Sequence, residues 1–359
     1  MKQKQLNSDY KADFRLEISK YIDIESKILF SIVVPVYNAQ KSIRRMLESV
    51  LNQSYKNFEL ICINDGSTDE SLKILKDFSK NDSRIKIVSQ KNNGVSSARN
   101  MGISIAKGDR LLFMDADDTW EPQLLEDIKE LHSDIIIFGY KTLEYGKVTS
   151  YLKPDKKISY DFYGLFKSGL LTPVWNKVYN LEFIKKENIR FKEELHYGED
   201  LCFNVECFFH SKNFFVTERC YYNYYADDMF SVSKQFNVRK SEELCKTQKE
   251  FDRLLHKYIE ESDKVGIIIR ENAIHYCYSC FLDLFRGTQE MSYLQKKQYI
   301  SQTLNNFGYI YSIADNKKLL GKSKLYNTIF AIRKSGLIYW SAFLFNMIKK
   351  KLGKYRSNF

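Results

Sequence analysis

A chain of 359 residues with 44% hydrophobic and 15% aromatic content is long enough for two folding units and too apolar for global disorder. Its formal charge of +11 is uneven: eleven Lys/Arg and no Asp or Glu lie between Lys317 and Phe359, and the remainder carries 45 residues of each sign. A neutral body with a basic tail argues against a nucleic-acid-binding body and points the tail at a localised anionic partner.

Residues 1–26 are polar, an N-terminal extension with no apolar core of a secretory signal. Seven scattered cysteines, an odd number, read as reduced thiols, and together these features predict a cytoplasmic protein. Cys277-Tyr-Ser-Cys280 with His275 nearby has the spacing of half a zinc site. No second pair follows, so buried helix cysteines are the expectation.

From Lys27 apolar runs alternate with amphipathic ones. Ile28–Val36 is a strand buried on both faces, and Ser42–Asn52 a helix with Ile43, Met46, Leu47, Val50 and Leu51 on one side. Phe58–Asn64 is a second strand, stopped by Asp65-Gly66-Ser67. Thr68 or Asp69 is expected to cap the following helix, with Leu72, Leu75 and Phe78 facing inward. A third strand at Arg84–Ser89, a helix at Ser96–Ala106 and a fourth strand at Arg110–Met114 complete an α/β pattern on a mostly parallel sheet. Ile135–Tyr140 is a further strand and Tyr145–Tyr160 a hairpin or loop. Tyr163–Tyr225 mixes helix with short strands, and the chain after Ser241 is helical.

The polar signals fall at strand carboxyl ends, where open α/β sheets bind ligands. Asp115-Ala116-Asp117-Asp118 places two carboxylates at i and i+2 with a third adjacent, unfavourable unless a cation or hydrogen-bond donors compensate. A hard divalent ion sharing substrate phosphates suits such oxygens. The bland alternative is an acidic turn in which Asp118 or Thr119 caps a helix at Trp120. Asp65 after the second strand can accept from a nucleotide base or merely cap a turn, and Pro35-Val-Tyr37-Asn38 offers an aromatic face or merely a strand end. Arg99 in the first turns of its helix opposes the helix dipole, which a bound diphosphate would reverse; a surface arginine is the alternative. Gly198-Glu199-Asp200 is either a helix start or the home of a general base.

In this order, Val33-Val34-Pro35-Val36-Tyr37-Asn38, Asn64-Asp65-Gly66-Ser67-Thr68-Asp69, Gly94…Ala98-Arg99-Asn100…Gly102 and Asp115-Ala116-Asp117-Asp118 resemble the family 2 glycosyltransferases. The resemblance is strong over residues 28–120, extends through Trp175-Asn176-Lys177 and Gly198-Glu199-Asp200, and ends near 240. It implies a GT-A (Rossmann-like) catalytic domain over 27–240 followed by a helical region over 241–359. It also implies an inverting enzyme of bacterial cell-surface polysaccharide synthesis. By that resemblance Pro35, Tyr37 and Asp65 hold the base, most often uracil; Arg99 helps place the diphosphate; Asp115, with Ala116 beside it, meets the ribose; and Asp117 ligates Mn²⁺ or Mg²⁺. Asp200, or else Glu199, is the implied base. Tyr222-Asn-Tyr224-Tyr225 departs from the Tyr-x-Tyr-Arg that relatives often carry, so a cationic contact to leaving group or acceptor is either missing or supplied by Lys234.

The implied partners are a nucleotide-sugar donor, a glycan or polyprenyl-linked acceptor and a second copy of the chain, with no nucleic acid. Leu337–Ile348 is too short for the ~18–20 residues of a spanning helix. Flanked by Arg333-Lys334 and Lys349-Lys350-Lys351, it suits a helix lying on an anionic membrane surface, with a helix docked on the body as the alternative. Two other functions compete. A nucleotidylyltransferase would carry a glycine-rich basic loop where Asn38-Ala39-Gln40 stands, and an inactive binding scaffold would lose the acids that this chain keeps.

Overall fold

The computed structural model describes residues 27–155, 160–226, 237–284 and 291–308. The N-terminal extension, Lys234 and the basic tail from Lys317 lie outside these residues.

Strand β1 (Phe30–Val36) pairs in parallel with β2 (Phe58–Asp65) and with β4 (Arg110–Phe113), and β2 pairs in parallel with β3 (Ile85–Gln90). Helices α1 (Ile43–Leu51), α2 (Ser71–Ser79) and α3 (Val95–Ile105) supply the crossovers. Beyond β4 come the two-residue β5 (Thr119–Trp120), α4 (Leu124–Ile128), β6 (Ile135–Glu144), β7 (Lys147–Leu152), α5 (Phe162–Ser168), β8 (Lys177–Asn180), α6 (Leu181–Lys186), α7 (Glu199–His210) and β9 (Phe214–Tyr225). The sheet runs β3-β2-β1-β4-β8-β6-β9-β5, with β7 hairpinned onto β6. Antiparallel pairings enter only from β8 onward, and β6–β9 restores a long parallel one.

Side-chain alternation sorts this sheet into two cores. Val33, Ile61, Ile63, Leu111 and Phe113 face one side and pack with Ala98 and Ile103 of α3 and with Leu201, Phe203 and Val205 of α7. Their neighbours Ile32, Val34, Leu60, Cys62 and Leu112 face the other and meet Ile43, Met46, Leu47 and Val50 of α1. Burial on both faces is why these strands read as unbroken apolar runs.

Two local expectations are corrected. The second helix begins at Ser71 with Glu70 at its N-cap position; Asp69 contributes from outside by accepting the Ser71 N–H at 2.9 Å, and Thr68 does not cap it. No helix starts at Trp120: Thr119 and Trp120 pair with Asn223 and Tyr222 of β9, so long-range pairing overrides the local capping signal.

Three further helices, α8 (Lys240–Tyr258), α9 (Ser262–Asp283) and α10 (Tyr293–Asn306), follow. Phe251, Leu254, Leu255, Ile268 and Ile269 from this region join the same core cluster as Val33 and Phe113. Cys277 and Cys280 are free and buried in α9, as the sequence led one to expect.

Gly102 lets α3 lie directly on β1, because a Cβ there would fall well inside contact distance of both Val33 methyls. Gly102→Ala is expected to destabilise the fold by about 1–3 kcal/mol through overpacking, read as a lower urea midpoint with an unchanged m-value. An unchanged midpoint would contradict this packing.

Candidate functional site

The carboxyl ends of β1, β2 and β4 lie side by side along one edge of the sheet. At the β1–β2 end, two loops are bonded crosswise. Asn38, at φ 49°, accepts the Thr68 N–H at 2.8 Å through its side chain, while Ser67 Oγ and Asp69 Oδ2 accept the N–H groups of Asn38 and Gln40. Asp65 is buried, and both its oxygens are engaged. Oδ1 accepts from Gln90 Nε2 at 2.8 Å and Asn93 N at 2.9 Å, and Oδ2 from Gly94 N at 2.9 Å. Asp65 therefore fixes the 93–94 turn, whose Gly94 takes a left-handed φ of 91°. Tyr37 stands 47% exposed at the end of β1, with half-buried Pro35 two residues earlier. Its ring is open for stacking.

At the centre lies Arg99. It is not a surface residue: it is 3% exposed, on the inner side of α3. Its Nη1 donates to Asp200 Oδ1 at 2.6 Å and Glu199 Oε1 at 3.1 Å, and its Nη2 to Asp115 Oδ1 at 3.3 Å. The guanidinium carbon sits 5.2 Å from the Phe191 ring centre, and Phe191 stacks on Phe203 at 4.0 Å. One cation thus draws the loop after β4 to the start of α7. Sequence spacing placed each of these residues near a ligand but gave no sign that they bond to one another.

Asp115, Asp117 and Asp118 bring carboxylate oxygens within 4.8 Å of one another. Asp118 is the buried member. Its Oδ2 accepts from Tyr222 Oη at 2.7 Å and its Oδ1 from the Tyr225 N–H at 2.8 Å. Arg45 donates to the Asp117 carbonyl and lies 3.5 Å from the Tyr225 ring centre. Ala116, half-buried, packs against the second core. The sequence singled out Asp118 in the acidic cluster and Tyr222-Asn-Tyr224-Tyr225 separately, and gave no sign that Tyr222 and the Tyr225 N–H bond to Asp118. Trp175 stacks on Tyr222 at 4.1 Å, behind the same corner.

Asp200 has a second support. The Val174 backbone bonds to its carboxylate, and the loop carrying Val174 is pinned by Lys177. Lys177 is 2% exposed, and its Nζ donates to the carbonyls of Leu170 and Pro173 and to Asn176 Oδ1. Those three acceptors use all three protons of the ammonium form. Burial pulls the Lys177 pKa down, to about 7, with the negative charge of Asp200 opposing.

Five carboxylates here face the guanidinium groups of Arg99 and Arg45 and the Lys177 ammonium, so the cluster carries excess negative charge. Burial raises Asp118 well above the ordinary carboxylate range, with Asp117 and Asp115 adding to the effect. Burial also raises Asp200 and Asp115, against the pull of Arg99. Protons or a cation must relieve this. The donor set is all oxygen, clustered, oriented by hydrogen bonds and short of positive charge, which fits a hard divalent ion such as Mn²⁺ or Mg²⁺.

A carboxyl whose folded pKa is raised favours folding while protonated. That contribution is complete below the unfolded value near 3.9 and is lost as pH rises through the folded value. In chelator, the melting temperature of the wild type relative to that of Asp118→Asn should therefore fall as pH rises from about 4. Mn²⁺ should narrow that difference at the alkaline end of the series. Identical slopes for wild type and Asp118→Asn would refute the burial effect at Asp118.

Comparison with known proteins bears on this geometry. Residues 31–184 match the model of Glycosyl transferase family 2. The glycosyltransferase GlyA of Streptococcus pneumoniae serotype 4 is 34% identical over 186 residues, which cover 47% of this chain and 26% of that protein. The uncharacterized glycosyltransferase EpsJ of Bacillus subtilis is 31% identical over 180 residues, 46% of this chain and 52% of that protein. The chain thus spans no more than about half the length of these relatives. In three dimensions it is similar to S. aureus TarS 1–349 in complex with UDP-GlcNAc, with a TM-score of 0.62 at 20% identity over 90% of this chain and 92% of that one. The strands that carry the motifs lie within residues 31–184, which are similar to the family 2 glycosyltransferases, and the fold around them is similar to the GT-A type.

Proposed function

We propose that the chain is an inverting glycosyltransferase. It moves a sugar from a UDP-sugar to a hydroxyl of a glycan or polyprenyl-linked acceptor in cell-surface polysaccharide synthesis. The observation that carries the reading is the pairing, through Arg99, of the Asp115–Asp118 loop with Glu199 and Asp200. A charge-hungry phosphate site and a half-buried carboxylate base are held by one guanidinium. TarS, of the same fold, is known in complex with UDP and with UDP-GlcNAc, which supports a uridine nucleotide as the donor's handle.

In this reading Tyr37 stacks on the base beside Pro35, and Asp65 shapes the wall of the base pocket by holding the 93–94 turn. Asp115 and Ala116 lie at the ribose, and Asp117, with Asp115 and Asp118 beside it, holds the divalent ion. When bound, that ion supplies charge neutralisation to the diphosphate. Asp200 accepts the proton of the acceptor hydroxyl as its oxygen bonds to the anomeric carbon. The bond from that carbon to the diphosphate oxygen breaks on the opposite face, and the electron pair leaves with the nucleoside diphosphate. Arg99 keeps Asp200 aimed and offers the departing phosphates a favourable potential. Glu199, on the same Arg99 nitrogen, is the alternative base. The basic segment 317–359 would bring the domain to an anionic membrane where a polyprenyl-linked acceptor resides.

The test is a panel of UDP- and GDP-sugars with Mn²⁺, read by thermal shift and by nucleoside diphosphate release. A UDP-sugar should stabilise the wild type, and Asp117→Ala should lose the Mn²⁺-dependent part of that shift. Asp200→Asn should keep donor binding while turnover falls by about 10²-fold or more. Because burial raises Asp200, the acid limb of the wild-type pH–rate profile should lie above the ordinary carboxylate range. Release by no donor, or near-normal turnover by both the Asp200→Asn and Glu199→Gln variants, would defeat the proposal.

A further inference from the structure

The turn that delivers Glu199 and Asp200 is held from outside the strand-and-helix frame of the GT-A sheet. Gly198, at φ 76°, precedes α7, and a Cβ on it would collide with the Tyr276 hydroxyl and lie 3.0 Å from Thr247 Cγ2. Thr247 Oγ1, on α8, donates to the carbonyl of Tyr197. Tyr276, on α9, is 7% exposed, and its hydroxyl is buried beside Asn272. The Tyr197 ring packs against the core of the helical region and lies 5.4 Å from Lys240 Nζ, itself paired with buried Asp283.

The two clamping helices are locked to each other by buried amides. Asn272 Nδ2 donates to Gln248 Oε1 at 2.8 Å, and Gln248 Nε2 donates to Asp252 Oδ1 at 2.6 Å and to the Ile269 carbonyl at 3.3 Å. Gln248 is the neighbour of Thr247, so the residue that grips Tyr197 sits beside the buried amide link between the two helices. On the far side of the turn Lys192 pairs with Glu250 of α8 at 2.8 Å.

We infer that α8 and α9 are a positioning device for the acidic pair: Thr247 and Tyr276 fix the Tyr197-Gly198 turn so that Glu199 and Asp200 meet Arg99. Neither residue touches the reacting groups; both act through the turn. Gly198 turns the chain into α7 in a left-handed conformation against the Tyr276 hydroxyl, where a side chain has no room, and the Thr247 bond satisfies the Tyr197 carbonyl. The inference rests on the transferase reading for its catalytic consequence, but the clamp itself is a statement about the turn.

The experiment uses the full chain with UDP-GlcNAc and Mn²⁺, following UDP release to water, together with UDP affinity and hydrogen exchange of the peptide spanning 195–201. Thr247→Val keeps the shape and removes the donor; Thr247→Ser keeps the donor. In Thr247→Val, kcat should fall at least tenfold while the Kd for UDP stays within twofold, and exchange of the 195–201 amides should rise. Thr247→Ser should restore both, and Tyr276→Leu should repeat the loss. Wild-type kcat in Thr247→Val, or unchanged exchange at 195–201, overturns the clamp. Should the wild type release no UDP from any donor, the transferase reading fails, and the exchange comparison still decides whether Thr247 holds the turn.

Discussion

A guanidinium withdrawn from water is tolerable only where anions replace its hydration, and Arg99 meets that condition with three carboxylates from two distant parts of the chain. The ordering works in both directions. The carboxylates would repel one another across the site without the cation, and the cation would not stay inside α3 without them. Much of what surrounds the site serves this contact. Gly102 seats α3 on β1, Phe191 and Phe203 wall off the guanidinium, and the Val174 backbone and Lys177 brace Asp200 from behind.

The two ends of the site are built on different principles. At the β1–β2 end, polar side chains are spent on backbone groups, so the loops carrying Tyr37, Asp65 and Gly94 are fixed before anything binds. A ring or base arriving there need order little of the protein, which lowers the entropic cost of association. At the β4 end, the hydrogen bonds orient acids whose charge is left in excess. Binding there depends on what neutralises them.

The first four strands and β6, with the acidic and glycine turns after the early strands, were legible because their causes are local. Double-sided burial writes itself as apolar runs, and a turn needs its Gly66 or Gly94 in place. What was not legible depends on partners far along the chain. Asp200 and Arg99 are 101 residues apart, and Asp118 and Tyr222 are separated by 104. No window of sequence holds both members of either pair. Thr119-Trp120 shows the same limit from the other side: capping chemistry favoured a helix, and pairing with β9 won. The helical region after 240 read as an appendage because amphipathic periodicity identifies a helix and not what it packs against.

The raised carboxyls have a consequence for exchange with solvent. Burial raises Asp118 and Asp115, so each holds its proton to higher pH than an exposed carboxyl does, and a divalent ion bound there would displace the protons that remain. Such loading would trade hydrogen ions for metal. Its measured heat would vary with the ionisation enthalpy of the buffer, and a modest acidification would loosen the ion without altering a single ligand.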